Sequence, residues 1–129
     1  MEIKNNMVGW FEVPVTNMER AIKFYEKVFE IKIERHQMGE FDMGWFPMTQ
    51  EGSGAMGSLV CLPEFYKPSK EGALVYFTAH SGDLNNELER VKAAGGKVSK
   101  PKKLIAEGFG YMALFEDTEG NRVAMHSHA

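Results

Sequence analysis

The sequence predicts an α+β domain built from two tandem βαβββ modules packed around a concave cavity. Three observations predict it. Shifted by 66 residues, the first half of the chain lies over the second: Trp10 falls on Tyr76, Phe11 on Phe77, Asn17 on Asp83, Gly44 on Gly110 and Gly54 on Gly120. Few of these matches are identities, but apolar positions, helix starts and turn glycines coincide, as in two copies of one supersecondary unit. In each half, one stretch of three- and four-residue apolar spacing is followed by short alternating stretches separated by glycine-bearing turns. Each half alone leaves an apolar face open, so the two must pack together, and their junction is where a ligand cavity is expected.

Residues 8–15 (Val-Gly-Trp-Phe-Glu-Val-Pro-Val) read as a strand. Thr16, with Glu19 three residues on, makes a capping-box signature for a helix whose apolar stripe is Met18, Ala21, Ile22, Tyr25, Val28 and Phe29. Strands are expected near residues 32–36, 44–48 and 58–62, and the Pro68-bearing stretch 63–72 reads as a linker. The second module repeats the order. A strand at 73–79 leads to a helix over 83–94 with Leu84, Leu88 and Val91 inward, ended by Gly95-Gly96. Strands follow near 97–99, 110–115 and 122–127, with Asp117-Thr118-Glu119-Gly120 as the last turn. The chain thus divides into modules at 7–62 and 73–128, within one domain spanning 1–129.

At 129 residues and 43% hydrophobic, such a chain can bury a core. Its 18 acidic and 15 basic side chains are intermixed and give a net charge of -3, so no basic patch points to nucleic acid. The longest apolar runs are strand-sized and the start Met1-Glu2-Ile3-Lys4 lacks a signal-peptide core, so neither a membrane nor export is expected. A lone cysteine, Cys61, allows no internal disulfide and fits a reducing cytoplasm.

Strand side chains alternate in direction, so each strand splits into two faces. Phe11, Val13 and Val15 form the helix-packed face of the first strand, and Trp10 and Glu12 turn the other way. Val75, Phe77 and Ala79 pack in the second module, leaving Tyr76, Thr78 and His80 opposite. In the last strand Val123 and Met125 pack, while Arg122, Ala124 and His126 face away; in the fourth, Ser58 and Val60 share that side, with Leu59 and Cys61 inward. A mixed aromatic and polar surface of this kind suits a small-molecule pocket, although a solvated sheet face produces the same pattern. The candidate ligand-binding set is Trp10, Glu12, Ser58, Val60, Tyr76, Thr78 and His126. Met43, Met48 and Met56 lie near these strands and could add an adaptable lining. Trp45 and Tyr111 either flank the mouth or are cross-strand packing. Cys61, in apolar company, is expected to be inert rather than a nucleophile.

The βαβββ order, the stretch from Pro14 to Phe29 and the ending from Phe115 to Ser127 resemble the vicinal oxygen chelate superfamily. It includes glyoxalase I, extradiol dioxygenases, fosfomycin resistance enzymes and bleomycin resistance proteins. The segments 8–15 and 120–127 look most like its uncharacterised glyoxalase-related branch. The resemblance implies metal ligands on the first and fourth strands of each module, which fall here on Trp10, Ser58, Tyr76 and Ala124. An indole N–H and a methyl group offer a cation no usable lone pair, and neutral Ser and Tyr oxygens replace carboxylate and imidazole poorly. The expectation is therefore no metal and no cofactor, and activities that rely on the ion are not implied. A displaced site of Glu12, His126 and His80 is an alternative. The leading expectation is a binder of a small, partly apolar organic molecule, as a possible homodimer. Its rivals are an isomerase or lyase using Glu12 as base and His126 as acid, and an interaction module with a filled cavity.

Overall fold

The computed structural model describes residues 2–129; Met1, included in the reading of the N-terminus, lies outside them. The order is β1 (Trp10–Pro14), α1 (Met18–Phe29), β2 (Glu34–Met38), β3 (Phe41–Trp45), β4 (Met56–Cys61), then β5 (Tyr76–Thr78), α2 (Leu84–Ala93), β6 (Lys97–Ala106), β7 (Gly110–Glu116) and β8 (Arg122–Ser127). Each module makes one four-stranded sheet, ordered β1-β4-β3-β2 and β5-β8-β7-β6. The first strand of each module runs parallel to its last, and the remaining pairs are antiparallel. The two tandem βαβββ modules are those the repeat predicts. No helix among the described residues is long and apolar enough to cross a membrane.

The helices explain the packing. The apolar stripe of α1 buries Met18, Ala21, Phe24, Tyr25, Val28 and Phe29, and α2 buries Leu84, Leu88 and Val91. These residues join Val13, Val15 and Leu59 from the first sheet and Ala113, Phe115, Val123 and Met125 from the second in one continuous core. Phe77 of β5 is its hinge point, packing against Phe11, Tyr25, Phe29 and Phe46 with ring centroids 5.0 to 5.6 Å away. The helix-facing sides of both sheets therefore meet in one interior.

Several boundaries differ from the sequence reading. The N-cap of α1 is Asn17, whose side chain accepts from Arg20 N–H, rather than Thr16. Glu119, from the turn between β7 and β8, takes the Thr16 and Asn17 N–H groups at 2.9 and 2.8 Å, so no capping box with Glu19 forms. In the first module, β2 and β3 sit two to three residues from the expected spans because the hairpin turns at Gly39 and Glu40. β5 is only three residues long, and no helix or strand lies between Cys61 and Tyr76. β6 extends to Ala106 against the expected end at Ser99; its further lysines and Pro101 run along an edge strand with register shifts, where proline and charge are tolerated.

The gapless repeat also needs a correction. Val15 N–H bonds to Val60 O as Ala79 N–H bonds to His126 O. Val15 therefore corresponds to Ala79, an offset of 64, while Val60 and His126 keep the offset of 66. Two extra residues lie between β5 and α2, in the turn where Gly82 holds φ +92°. Trp10 is consequently not the counterpart of Tyr76. Glu12 is.

Candidate functional site

The register brings the predicted site residues together in two groups. On the first sheet, Glu12 pairs with Ser58 and Pro14 with Val60, while Trp10 pairs with Met56. On the second, Tyr76 pairs with Ala124 and Thr78 with His126. All stand on the faces opposite the common core, as strand alternation requires. No hydrogen bond or aromatic contact among the described residues links one group to the other. Two surface depressions are lined by other residues, one between residues 3–9 and 49–56 and one at the start of α1 beside Ala94.

The first-sheet group is the more developed. Trp10 Nε1–H donates to Glu12 Oε2 at 3.3 Å, and interaction with the same carboxylate raises the Tyr66 phenol above its ordinary pKa. Ser58 and Val60 are buried, whereas Trp10 is 40% exposed. Across β3 and β4, Trp45 pairs with Ser58 and Met43 with Val60. The His36 ring lies 4.1 Å from that of Trp45. Two side-chain polar atoms on this face, Trp45 Nε1 and Ser58 Oγ, are closed off from solvent without a hydrogen-bond partner among the described residues, and a third, His36 Nε2, has only the Glu34 carboxylate at 3.5 Å. An orphaned buried group destabilises a protein by about 1 to 3 kcal/mol, so two neighbouring ones on one face are an unusual concentration.

Sequence reasoning missed His36 and Tyr66, and left Trp45 undecided between the cavity mouth and packing. The signal for Trp45 lies in β3, where Phe41, Met43 and Trp45 alternate onto one face. Tyr66 follows β4 in an irregular segment whose placement no periodicity predicts.

The second-sheet group is more open. Tyr76 is 49% exposed, Thr78 is exposed, and His126 is half-buried. His126 Nε2 contacts the Phe109 carbonyl at 2.7 Å, and its ring meets His128 edge-on at 4.9 Å. His80 lies beyond β5, exposed in the turn before α2. Cys61 packs against the core with its Sγ 3.8 Å from Thr16 O, and burial pushes its thiol pKa up, as for an inert cysteine.

The corrected repeat changes the residues at the positions where the family resemblance leads one to expect metal ligands. The equivalent pairs are Glu12 with Ser58 and Tyr76 with Ala124, so Glu12 replaces Trp10 in that set. One carboxylate, a hydroxyl, a phenol and a methyl group still do not make the nitrogen and oxygen donor set that a divalent transition metal requires. Among the described residues, no three His, Cys, Asp or Glu side chains gather closely enough to hold an ion. The displaced trio Glu12, His126 and His80 is therefore not assembled within the chain.

Paired βαβββ modules with their first and last strands parallel, and a site expected on those strands, define the class of protein. The model of the Glyoxalase/Bleomycin resistance protein/Dioxygenase superfamily matches residues 7–125, and the chain belongs to that superfamily. Solved structures share the fold. A glyoxalase/bleomycin resistance protein from Albidiferax ferrireducens T118 has a TM-score of 0.70 at 16% identity over 96% of this chain and 100% of its own. TnmS3, an antibiotic binding protein from Streptomyces sp. CB03234, has a TM-score of 0.62 at 19% identity over 99% and 100%. A mutant glyoxalase I from Zea mays has a TM-score of 0.70 at 21% identity over 93% of this chain and 46% of its own, so the present chain spans less than half of the maize enzyme. No curated protein matches the chain.

Proposed function

We propose that this protein binds a small, partly apolar organic molecule without a metal, in a cavity lined by Trp10, Glu12, Ser58, Val60, Tyr76, Thr78 and His126. The observation that carries this reading is the partial exposure of Trp10 and Tyr76 on sheet faces that also carry buried positions: Ser58 and Val60 further along the first, and Ala124, the register partner of Tyr76, on the second. Large aromatic groups at the open edge of an otherwise closed face are typical of ligand-stacking positions. Because the core joins the helix sides of both sheets, the two faces do not meet within one chain, and a second copy is the natural source of the facing half. β1 and β5 are both edge strands, free on one side to receive it. The antibiotic-binding relative on the same fold supports binding rather than turnover.

Acid–base chemistry by Glu12 and His126 has less support. His126 Nε2 is engaged by the Phe109 carbonyl, which leaves only Nδ1 for proton transfer. The experiment is a pair of measurements: mass in solution, and melting shifts across a panel of small aromatic and carbonyl metabolites. A dimer whose melting temperature rises with one ligand class is the expected result. A monomer with no responsive ligand would favour the filled-cavity interaction module.

A further inference from the structure

The first-sheet face carries more than an open aromatic surface. Counting across the strands, Glu12, Ser58 and Trp45 stand at successive register positions of β1, β4 and β3. His36 of β2 lies against Trp45 at the far end of the row. The middle of this row, Ser58 Oγ and Trp45 Nε1, is buried without a partner. Trp45 Nε1–H can only donate, and a serine hydroxyl can do so too, so an acceptor oxygen is what the pair lacks. Glu12 can only accept when ionised, and its one hydrogen-bond donor among the described residues is the Trp10 indole at the very start of β1.

We propose that this row is a recognition strip for a flat, uncharged aromatic molecule bearing a carbonyl next to an N–H or O–H. The carbonyl oxygen accepts from Ser58 and Trp45, the adjacent donor bonds to Glu12, and the Trp10 indole turns aside from Glu12 to cover the ring. The proposal rests on the ligand-binding reading above and gives its chemical class. The aromatic frame follows from the walls of the strip, Trp10, His36, Trp45 and Tyr66. Exclusion of anions follows from charge: Glu12 faces the ligand and Glu34 pairs with Trp45 across β2 and β3. Entry requires side chains to move, since Ser58 Oγ and Trp45 Nε1 are shut off. Trp10 is the residue able to yield, being 40% exposed and tied by one long bond of 3.3 Å.

The chain has two tryptophans, Trp10 and Trp45, so its NMR spectrum holds two indole N–H signals, assigned with Trp10→Phe and Trp45→Phe. Titration with 2-naphthamide and 2-naphthoate is the test. The expected result is that the amide moves both indole signals, with Trp45 shifting downfield as it gains an acceptor, and binds about tenfold more tightly than the acid, a difference near 1.4 kcal/mol. Ser58→Ala should weaken the amide about tenfold, and Glu12→Gln should abolish the preference over the acid. Should Ser58→Ala disturb the fold, Trp45→Phe serves as the second variant and should weaken the amide similarly. Shifts confined to Tyr76, Thr78 and His126 would overturn the strip and leave the cavity reading standing. Equal or tighter binding of the acid would overturn the strip's chemistry. No shift at either face with either probe would overturn both readings.

Discussion

Arg20 of α1 and Glu119 of the β7–β8 turn form a two-point ion pair between the modules, with Nε to Oε2 at 2.7 Å and Nη2 to Oε1 at 3.0 Å. The Glu119 side chain is fully buried while Arg20 is half exposed. The same carboxylate accepts the Thr16 and Asn17 N–H groups at the positive end of α1. Neighbouring Asp117 accepts from Tyr25 Oη at 2.7 Å, and Asn121 donates to Pro14 O at 2.7 Å. One turn of the second module thus fixes the start and middle of the first module's helix, and with it the direction in which β1 presents Glu12.

Acid should loosen this lock. Burial by itself would raise the Glu119 pKa, but hydrogen bonds from Arg20, Asn17, Thr16 and Thr118 outweigh it and hold the group at about 2, against 4.5 unperturbed. A depressed carboxylate adds stability that is complete above the unfolded value and fades as pH falls from 4.5 toward 2. We expect Glu119→Gln to lose about 2 kcal/mol at pH 7, discounted for the half-exposed guanidinium, and to lose correspondingly less below pH 3. Denaturant melts of both proteins across pH 2 to 7 measure this; a gap independent of pH would contradict it.

Tyr25→Phe should be more costly than its single lost hydroxyl suggests. Tyr25 is fully buried and its ring packs against Phe24, Phe29, Phe46 and Phe77. Phenylalanine keeps that packing but removes one of the donors that Asp117 gathers. A loss of about 1 to 3 kcal/mol is expected for a buried carboxylate losing a partner, read as a lower midpoint with an unchanged m-value.

Gly57→Ala should disrupt β1 directly. A Cβ there would stand 2.4 Å from the Phe11 ring and 2.6 Å from the Phe11 carbonyl oxygen. The ring could turn, but the backbone oxygen belongs to the β1–β4 ladder. We expect a loss of about 1 to 3 kcal/mol from overpacking. Trp10 would lose its defined position too, visible as broadening of its indole signal.

Removing metals should change nothing. With Glu12, Ser58, Tyr76 and Ala124 at the four positions, the protein purified without added ions should carry no stoichiometric transition metal. A chelator should leave its melting temperature unchanged. One bound zinc, nickel or iron per chain in elemental analysis would refute this.

How much of this was readable in the sequence depends on the element. The stripe of α1 and the face parity of β1, β4 and β8 follow from spacing alone, because a buried face tolerates no slip of one residue. The slip between β1 and β5 is of two residues, which preserves parity and so leaves their side chains on the expected faces. β7, by contrast, is displaced by three against β3: Trp45 stands opposite Ser58 and Leu114 opposite Ala124, so Tyr111, the expected counterpart of Trp45, turns to the core instead. Gly82 in the turn after β5 marks the extra length, but a match anchored on the helices absorbs it. Cross-strand partners such as Trp45 with Ser58 depend on hairpin geometry, and Tyr66 depends on a segment without repeating pattern, so the orphaned polar row could not be assembled from the sequence.

Glu12 should matter for binding more than for folding. Val13, Val15 and Phe11 already hold β1 against the core, and the carboxylate's own hydrogen bond is to the partly exposed Trp10 indole. His126, the partner that parity allowed, bonds to Phe109 instead. Glu12→Gln keeps the side chain's size and one acceptor oxygen while removing its charge. Its stability should stay within about 0.5 kcal/mol of the parent, as for surface substitutions away from a network, and a bound ligand that donates to Glu12 should weaken about tenfold, as when a charge-assisted hydrogen bond becomes neutral. Paired melting and titration experiments separate the two effects. A drop of more than about 1 kcal/mol in stability with affinity unchanged would make Glu12 a structural residue whose work is to hold Trp10 in place.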